Sequence, residues 1–446
     1  MNLLPARYES RSRKVVWLIL SSLSVLAACL MQSASADARP PNVVMIISDD
    51  QAWTDFGFMG HKVIRTPHLD KFAKQSAVFP RGYVPGSLCR PSLMTMVTGL
   101  YPHQHKIVGN DPPRGTDRRL MLKHIRRLPT LPKLLAAKGY VSHQSGKWWE
   151  GNYREGGFTA GMTHGDPKRR GRHGDEGLKI GRQGMQPVFD FIDSAGEKPF
   201  FVWYAPFLPH TPHTPPKRLL DKYRQQGRPL ALARYYAMCE WFDETCGQLL
   251  GHLDKKKLAE NTLVVFVTDN GWIQRTPATK VPDGWRYQFA PKSKQSPNEG
   301  GIRTPIMLRW PGKIKPGRYD ALAGSIDLAP TILAAAGLKP TKEMPGINLM
   351  DVVKAGGKSQ RKALYGEIFA HDVADIDRPA ASLQSKWCVE GKWKVIYSFK
   401  HAKGLELYDL QADPHETKDL ALKQPEIAVR LVNQIHRWWP GRLAPK

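Results

Sequence analysis

NVVMIISDD, residues 42–50, is an unbroken apolar run that stops at two adjacent carboxylates. A run of this length without polar alternation reads as a strand buried on both faces. Three further segments share the design: KPFFVWYAP at 198–206, TLVVFVTDNG at 262–271 and TPIMLRWPG at 304–312. Between and around them lie helical patterns, LPTLPKLLAAKGY at 128–140, MQPVFDFIDSAG at 185–196 and ALARYYAMCEWFDETCGQLLGHL at 231–253. Strands alternating with helices imply an α/β fold, a sheet with helices on its faces.

Ligands of such sheets gather beyond the carboxyl ends of the strands. Here those ends carry Asp49 and Asp50 on one strand and Asp269 and Asn270 on another. Oxygen-only donors of this kind suit a hard divalent cation, Ca²⁺ or Mg²⁺, rather than zinc. Past SIDLAPTILAAAGLKP (325–340) the pattern changes to hairpin-like strands, ALYGEIF at 363–369, KWCVEGKWKVIYSF at 386–399 and LELYDL at 405–410. One amphipathic helix, PEIAVRLVNQIHRWW at 425–439, follows them. A boundary near Pro345 therefore divides a larger unit, 37–345, from a smaller α+β part, 346–446, built on an antiparallel sheet. Segments 164–177 and 274–301 are rich in Gly, Pro and basic residues, lack periodicity and read as long loops.

The chain opens on an export signal. Arg7, Arg11, Arg13 and Lys14 precede the apolar run VVWLILSSLSVLAACLM (15–31), and the small-residue site Ala34-Ser35-Ala36 follows. Residues 1–36 are thus expected to be removed, giving a periplasmic or secreted protein. LAAC, ending at Cys29, also has the look of a lipoprotein box, so a lipid anchor is the second option and an uncleaved membrane segment the third. No later run is long and apolar enough to span a bilayer. Beyond Cys29 only Cys89, Cys239, Cys246 and Cys388 are left, too few for a disulfide framework. The formal net charge of +26 favours polyanionic partners. Zinc-finger spacing and a basic stripe interleaved with aromatics are both missing, which argues against nucleic acid and for an acidic polysaccharide.

In GSLCRPSLMTMVTG, 86–99, Pro91 is preorganised for a first helical turn and Gly99 for its end, which places Cys89 at or beside a helix N-terminus. Free N–H groups and the helix dipole favour an anion there. Taken alone, an isolated cysteine flanked by a helix is more often a buried core thiol than a nucleophile.

Set in order along the chain, VVMIISDDQ, CRPSLMTMVTG, GYVSHQSGKWW, PHTP, VTDNG, KQSPNEGGIRTP and ELYDLQADPHE resemble the motif series of type I sulfatases of the alkaline-phosphatase-like superfamily. The resemblance implies a central mixed sheet flanked by helices and a C-terminal subdomain. It implies that Cys89 is oxidised to formylglycine by a formylglycine-generating enzyme during export, and that the hydrated aldehyde attacks sulfur. By the same resemblance Asp49, Asp50, Asp269 and Asn270 hold Ca²⁺, while Lys147, His210 and Lys294 bind the sulfate and assist the leaving oxygen. The expected activity is release of sulfate from a sulfated carbohydrate or an aryl sulfate.

Two positions depart from the family pattern. Leu93 stands where the signature C-x-P-S-R has arginine, and Trp149 where G-K-W-H has histidine. Arg90 is no replacement, since one residue of offset turns a helical side chain about 100° away. Indole N–H is a donor only, so Trp149 can replace one hydrogen bond but cannot take a proton. Phosphoester or phosphonate hydrolysis and non-catalytic glycan binding are the rival expectations.

Overall fold

The computed structural model describes residues 39–441 apart from 167, 169–170, 225–226 and 400–403. The expected export segment, 1–36, and the expected lipoprotein box at Cys29 lie outside the described residues. Residues 41–446 form one compact unit.

Its centre is a nine-stranded mixed sheet. The main strands are β1 (Asn42–Ser48), β2 (Ala77–Tyr83), β3 (Val141–Gly146), the short β4 (Ala160–Gly161), β5 (Phe200–Ala205), β6 (Thr262–Thr268) and β7 (Arg303–Arg309). They lie in the order β4-β3-β5-β1-β6-β7-β2, with two short strands completing the sheet beside β2. From β4 to β6 all neighbours are parallel. β7 is antiparallel to β6, and β2 is antiparallel to β7. Two reversals restore the direction, so β2 ends at the same edge as β1, β3, β5 and β6, while β7 begins there. Every candidate site residue leaves or enters the sheet at that edge.

Alternation along β1 explains the layers. Val43, Met45 and Ile47 join one apolar cluster, with α2 (Cys89–Thr98) and residues 328–335. Val44 and Ile46 join another, with α1 (Pro67–Lys74), α3 (Gln186–Ser194) and α4 (Leu230–Lys255). A strand buried on both faces needs no polar alternation, which is why the apolar runs are continuous. Cys239 and Cys246 are buried free thiols of α4.

The four C-terminal strands, Ala363–Phe369, Leu383–Glu390, Trp393–Ser398 and Leu405–Asp409, pair antiparallel in sequence order. One face, with Cys388, Val395 and Leu407, receives Ala428, Leu431 and Ile435 from the last helix, Pro425–Trp438. The other face, with Trp387, Val389 and Ile396, merges into the apolar cluster that holds α2. Lys394 on this sheet is fully buried and reaches Glu299 at 2.9 Å and Glu416 at 2.8 Å, tying the sheet to the segment that precedes β7.

β2 and β3 were not among the strands expected from apolar runs. AVFPRGY carries Pro80 and Gly82, and its pairing with β7 slips between Phe79 and Gly82, where the proline needs no ladder bond. VSHQSG is polar yet buried, because its side chains bond to backbone: Ser145 Oγ donates to the Trp203 carbonyl at 2.9 Å, and Gln144 Oε1 accepts from Thr163 N–H at 3.0 Å.

Candidate active site

β1 ends in Asp49 and Asp50, β6 in Asp269 and Asn270, β3 in Lys147, and the loop after β5 carries His210. Cys89 is the first residue of α2, with Leu88 as its cap, so it occupies the helix N-terminal position expected of it. Lys294 arrives on the segment before β7. That segment is fastened to the loop that leads into Cys89, because Gln295 N–H donates to Ser87 O at 3.0 Å and Ser87 Oγ donates to Gly301 O at 3.0 Å.

Two backbone positions aim these side chains. Gly146, at φ 83°, precedes Lys147, and a Cβ on it would meet the Ala205 carbonyl oxygen at 1.8 Å, so only glycine allows β3 to close against β5 there. Asp50 adopts a left-handed φ of 63°. Its N–H donates to Asp269 Oδ1 at 2.9 Å, which holds a conformation that costs a non-glycine residue about 1 kcal/mol.

All eight residues named from the sequence converge. Lys147 Nζ lies 2.6 Å from Asp49 Oδ1 and 3.9 Å from Asp269 Oδ2. Lys294 Nζ donates to Asp50 Oδ1 at 2.6 Å, to Oδ2 at 2.7 Å and to Cys89 Sγ at 3.2 Å. Asn270 Nδ2 donates to Asp50 Oδ1 at 2.6 Å. His210 Nε2 is 3.3 Å from Asp50 Oδ2, and its Nδ1 faces Thr211 O at 2.6 Å. Burial, then the charges of Lys147 and Lys294, hold the imidazole well below its usual pKa, so it is neutral. With Nδ1–H donating to Thr211 O, Nε2 is an acceptor facing a carboxylate oxygen.

These donors fit a divalent cation. Asp49 Oδ2, Asp269 Oδ2 and Asn270 Oδ1 are buried without a hydrogen-bond partner. Three unsatisfied oxygens in one buried cluster would be costly unless a cation takes them up. Burial, outweighing Lys147, pushes the pKa of Asp49 and Asp269 up, so extra positive charge is what keeps both ionised. Asp49, Asp50, Cys89 and His210 each offer a ligand atom within one small cluster. Burial also pushes the Cys89 thiol up to about 12 despite the two lysines. An unaltered Cys89 is a thiol, not a thiolate, at neutral pH.

The opposite flank is built differently. Leu93, one turn along α2, is 1% exposed and packs into the apolar cluster. Arg90 points away from Cys89 into a buried bidentate pair with Glu150, its Nη2 2.8 Å from Oε2 and also 3.1 Å from Met121 O, as its helical offset predicted. Trp149 is 3% exposed, and its buried Nε1 has no hydrogen-bond partner. Its ring carries the guanidinium groups of Arg118 at 5.2 Å and Arg172 at 4.9 Å. Both arginines pair with Asp111. A cavity of about 600 Å³ runs over Cys89, Asp50, His210 and Lys294 and is walled by Trp149, Arg172, Tyr287 and His371.

Arg118, Asp111, Glu150, Tyr287 and His371 escaped the sequence reading. They come from aperiodic segments, and only the two long loops at 164–177 and 274–301, which supply Arg172 and Tyr287, gave a signal.

A carboxylate cluster with three unpartnered oxygens, two buried lysines and Cys89 at a helix N-terminus meet at one edge of this sheet, an arrangement suited to an ester hydrolase of the alkaline-phosphatase-like fold. The sulfatase family matches residues 41–338 and the N-sulphoglucosamine sulphohydrolase C-terminal family residues 293–438, and the chain belongs to the sulfatase family. It is similar to human arylsulfatase A, 28% identical, with 91% of this chain and 83% of that protein covered. Human N-acetylgalactosamine-6-sulfatase is 30% identical, with 74% and 69% covered. Among solved structures, Ps i-CgsB in complex with k-i-k-neocarrahexaose superposes with a TM-score of 0.73 at 23% identity, covering 90% of this chain and 94% of that one. The activity is hydrolysis of a sulfuric ester.

Proposed function

We propose that this sulfatase is exported and removes sulfate from a sulfated carbohydrate, with formylglycine made from Cys89 as nucleophile and Ca²⁺ held by Asp49, Asp50, Asp269 and Asn270. One observation carries the reading: Lys294 Nζ bridges Cys89 Sγ and the Asp50 carboxylate beside three buried, unpartnered oxygens. The carbohydrate part is supported by relatives whose names specify N-acetylgalactosamine 6-sulfate groups and a neighbour bound to an oligosaccharide. The expected export segment and the basic charge agree with it.

Conversion of Cys89 supplies an aldehyde whose hydrate offers one hydroxyl to attack sulfur and another to expel the sulfate. Bound Ca²⁺ supplies charge that polarises sulfate oxygens and acidifies the attacking hydroxyl. The chain's own residues do the rest. Lys147 and Lys294 hold the sulfate oxygens and offset charge as it develops, in a dry site where their electrostatic effect is large. Desolvation opposes both ammonium groups, yet the neighbouring carboxylates, Asp49 for Lys147 and Asp50 for Lys294, raise their pKa, so both stay charged. His210 faces the leaving oxygen through Nε2, an acceptor in the free site, and protonates that oxygen only after Nε2 has itself taken up a proton. Two lysines against three carboxylates leave the cluster one charge negative before the cation and one charge positive with it, the sign that attracts a monoanionic sulfate ester.

The test is to express the chain with a formylglycine-generating enzyme and measure the mass of the Cys89 peptide alongside turnover of 4-nitrophenyl sulfate and 4-nitrophenyl phosphate. The sulfur of Cys89 should be lost in the active fraction, and sulfate ester should be the faster substrate. An active preparation with the thiol intact would overturn the nucleophile, and faster phosphate turnover would overturn the preference.

A further inference from the structure

The cavity over Cys89 continues past the site. Thr211, Tyr287 and Gln288 line both that space and a second cavity of about 1120 Å³, so the two adjoin at these three residues. The larger cavity is walled by Arg234, Arg275 and Arg286 with His213, threonines and prolines, and none of its lining residues is acidic. Arg275 is already engaged: its Nη1 donates to the carbonyls of Trp285 at 3.0 Å and Tyr287 at 3.4 Å and so shapes the turn. Arg234 and Arg286 are exposed and have no ion-pair partner among the described residues. The other arginines beside the site have carboxylate partners, Glu150 for Arg90 and a shared Asp111 for Arg118 and Arg172.

Tyr287 stands at the junction. It is 45% exposed, and its ring is stacked on buried Phe289 at 4.8 Å and 19°, with Phe289 braced in turn by Trp272 at 5.1 Å. The outer face of Tyr287 is therefore a fixed aromatic plate. Aromatic faces with a polar edge suit a partner that is apolar on its face and polar on its rim, as a pyranose ring is.

Resting on the sulfatase reading above, we infer that the substrate is an oligosaccharide bearing more than one anionic group. The unit that loses sulfate lies over Cys89, the adjoining ring packs on Tyr287, and Arg234 and Arg286 hold a sulfate or carboxylate farther along the chain. Guanidinium suits both anions because its planar fork bonds two oxygens at once. A cavity with three arginines and no carboxylate would repel cations and has no counter-charge of its own.

The experiment compares wild-type enzyme with an Arg234→Ser/Arg286→Ser double variant and with Tyr287→Ala. Substrates are 4-nitrophenyl sulfate and size-graded chondroitin sulfate and carrageenan oligosaccharides. On the longest oligosaccharide that wild type accepts, the double variant should lose kcat/KM about tenfold, mostly through KM, which corresponds to about 1.4 kcal/mol. Aryl sulfate turnover should stay unchanged, because that substrate reaches neither arginine. A parallel arm measures calorimetric binding of the same oligosaccharides to Cys89→Ala protein with and without the arginine changes. Binding should tighten with chain length and weaken with salt, less steeply in the arginine variant.

Equal losses on aryl sulfate and oligosaccharide, or binding indifferent to chain length or to the arginines, would overturn the inference. A failure of the sulfatase reading would look different, as no sulfate released from the aryl ester while the binding arm still reports on the basic cavity. Carboxylate and sulfate are separated by carboxyl-reduced chondroitin sulfate, which loses the arginine-dependent increment only if the bound anion is a carboxylate.

Discussion

Cys89 has two flanks. One is ionic and interlocked: Lys294, Asp50, Asn270 and Asp269 form a continuous chain of hydrogen bonds, and Lys147 closes it onto Asp49. The other is aromatic and apolar next to Cys89, with Leu93 in the core and Trp149 stacked against two arginines that share one carboxylate, Asp111. Among the described residues, the one ammonium group in hydrogen-bond reach of Cys89, Lys294, comes from the first side. The ionic flank sets the charge of the site and the aromatic flank sets its shape, so changes to the two should fail in different ways.

The largest effect belongs to the ionic flank. Lys294→Ala removes the group that touches both Cys89 and Asp50, and kcat should fall about 10³-fold, with a loss of thermal stability as well because Asp50 is left buried without its lysine. Steady-state kinetics with melting curves checks this, and a variant that only raises KM would show that Lys294 binds substrate without assisting the chemistry. Asp269→Ala should weaken reactivation by Ca²⁺ after chelation, measured as the Ca²⁺ concentration that restores half the activity.

The aromatic flank should break through folding. Glu150→Gln leaves Arg90 charged, buried and half-paired, at a cost of about 3–5 kcal/mol in chemical denaturation. Leu93→Arg, which restores the family signature, places a cation in a fully packed apolar slot and should destabilise rather than activate. If Leu93→Arg instead gains activity at unchanged stability, the flank is an eroded version of the usual one and not a rebuilt one. Trp149→Phe keeps the ring and deletes the unpartnered buried N–H, and should lower kcat about tenfold if that donor meets substrate.

The same contrast explains what could be read from the sequence. Asp49, Asp50, Asp269 and Asn270 were legible because continuous apolar strands end on them, and strand ends at one edge of a parallel sheet must meet. Lys147, His210 and Lys294 became legible only through motif resemblance, since lone basic residues carry no periodic signal. β2 and β3 were obscured by Pro80 and by a polar run whose side chains bond the backbone. The aromatic flank was least visible of all. Arg118, Arg172 and Trp149 come together from separate segments, and their pairing with Asp111 is a property of tertiary contact. Leu93 was visible as an omission, but that the chain fills the slot with apolar packing is not written in any local pattern.

A carboxyl a few residues beyond the ionic flank gives the mildest expected effect and shows what burial does to a carboxyl with no lysine beside it. Asp55 lies on the same segment as Asp49 and Asp50 and accepts hydrogen bonds from the Tyr235 hydroxyl at 2.6 Å and from Ala52 N–H at 3.3 Å. No lysine reaches it, and burial, only partly offset by those hydrogen bonds, raises its pKa from 3.8 to about 7. The folded state therefore holds this proton more tightly than the unfolded chain does. Its stabilising contribution is full below the unfolded value near 4 and is lost as pH rises through 7. The expected loss is of order 1 kcal/mol between pH 5 and pH 7. Asp55→Asn keeps the shape and removes the titration, so its melting temperature should vary less across that window than wild type does. Were the variant's profile to slope as steeply as wild type, Asp55 would be ionised throughout, and the hydrogen bonds from Tyr235 and Ala52 would suffice to keep a buried carboxylate charged without a lysine.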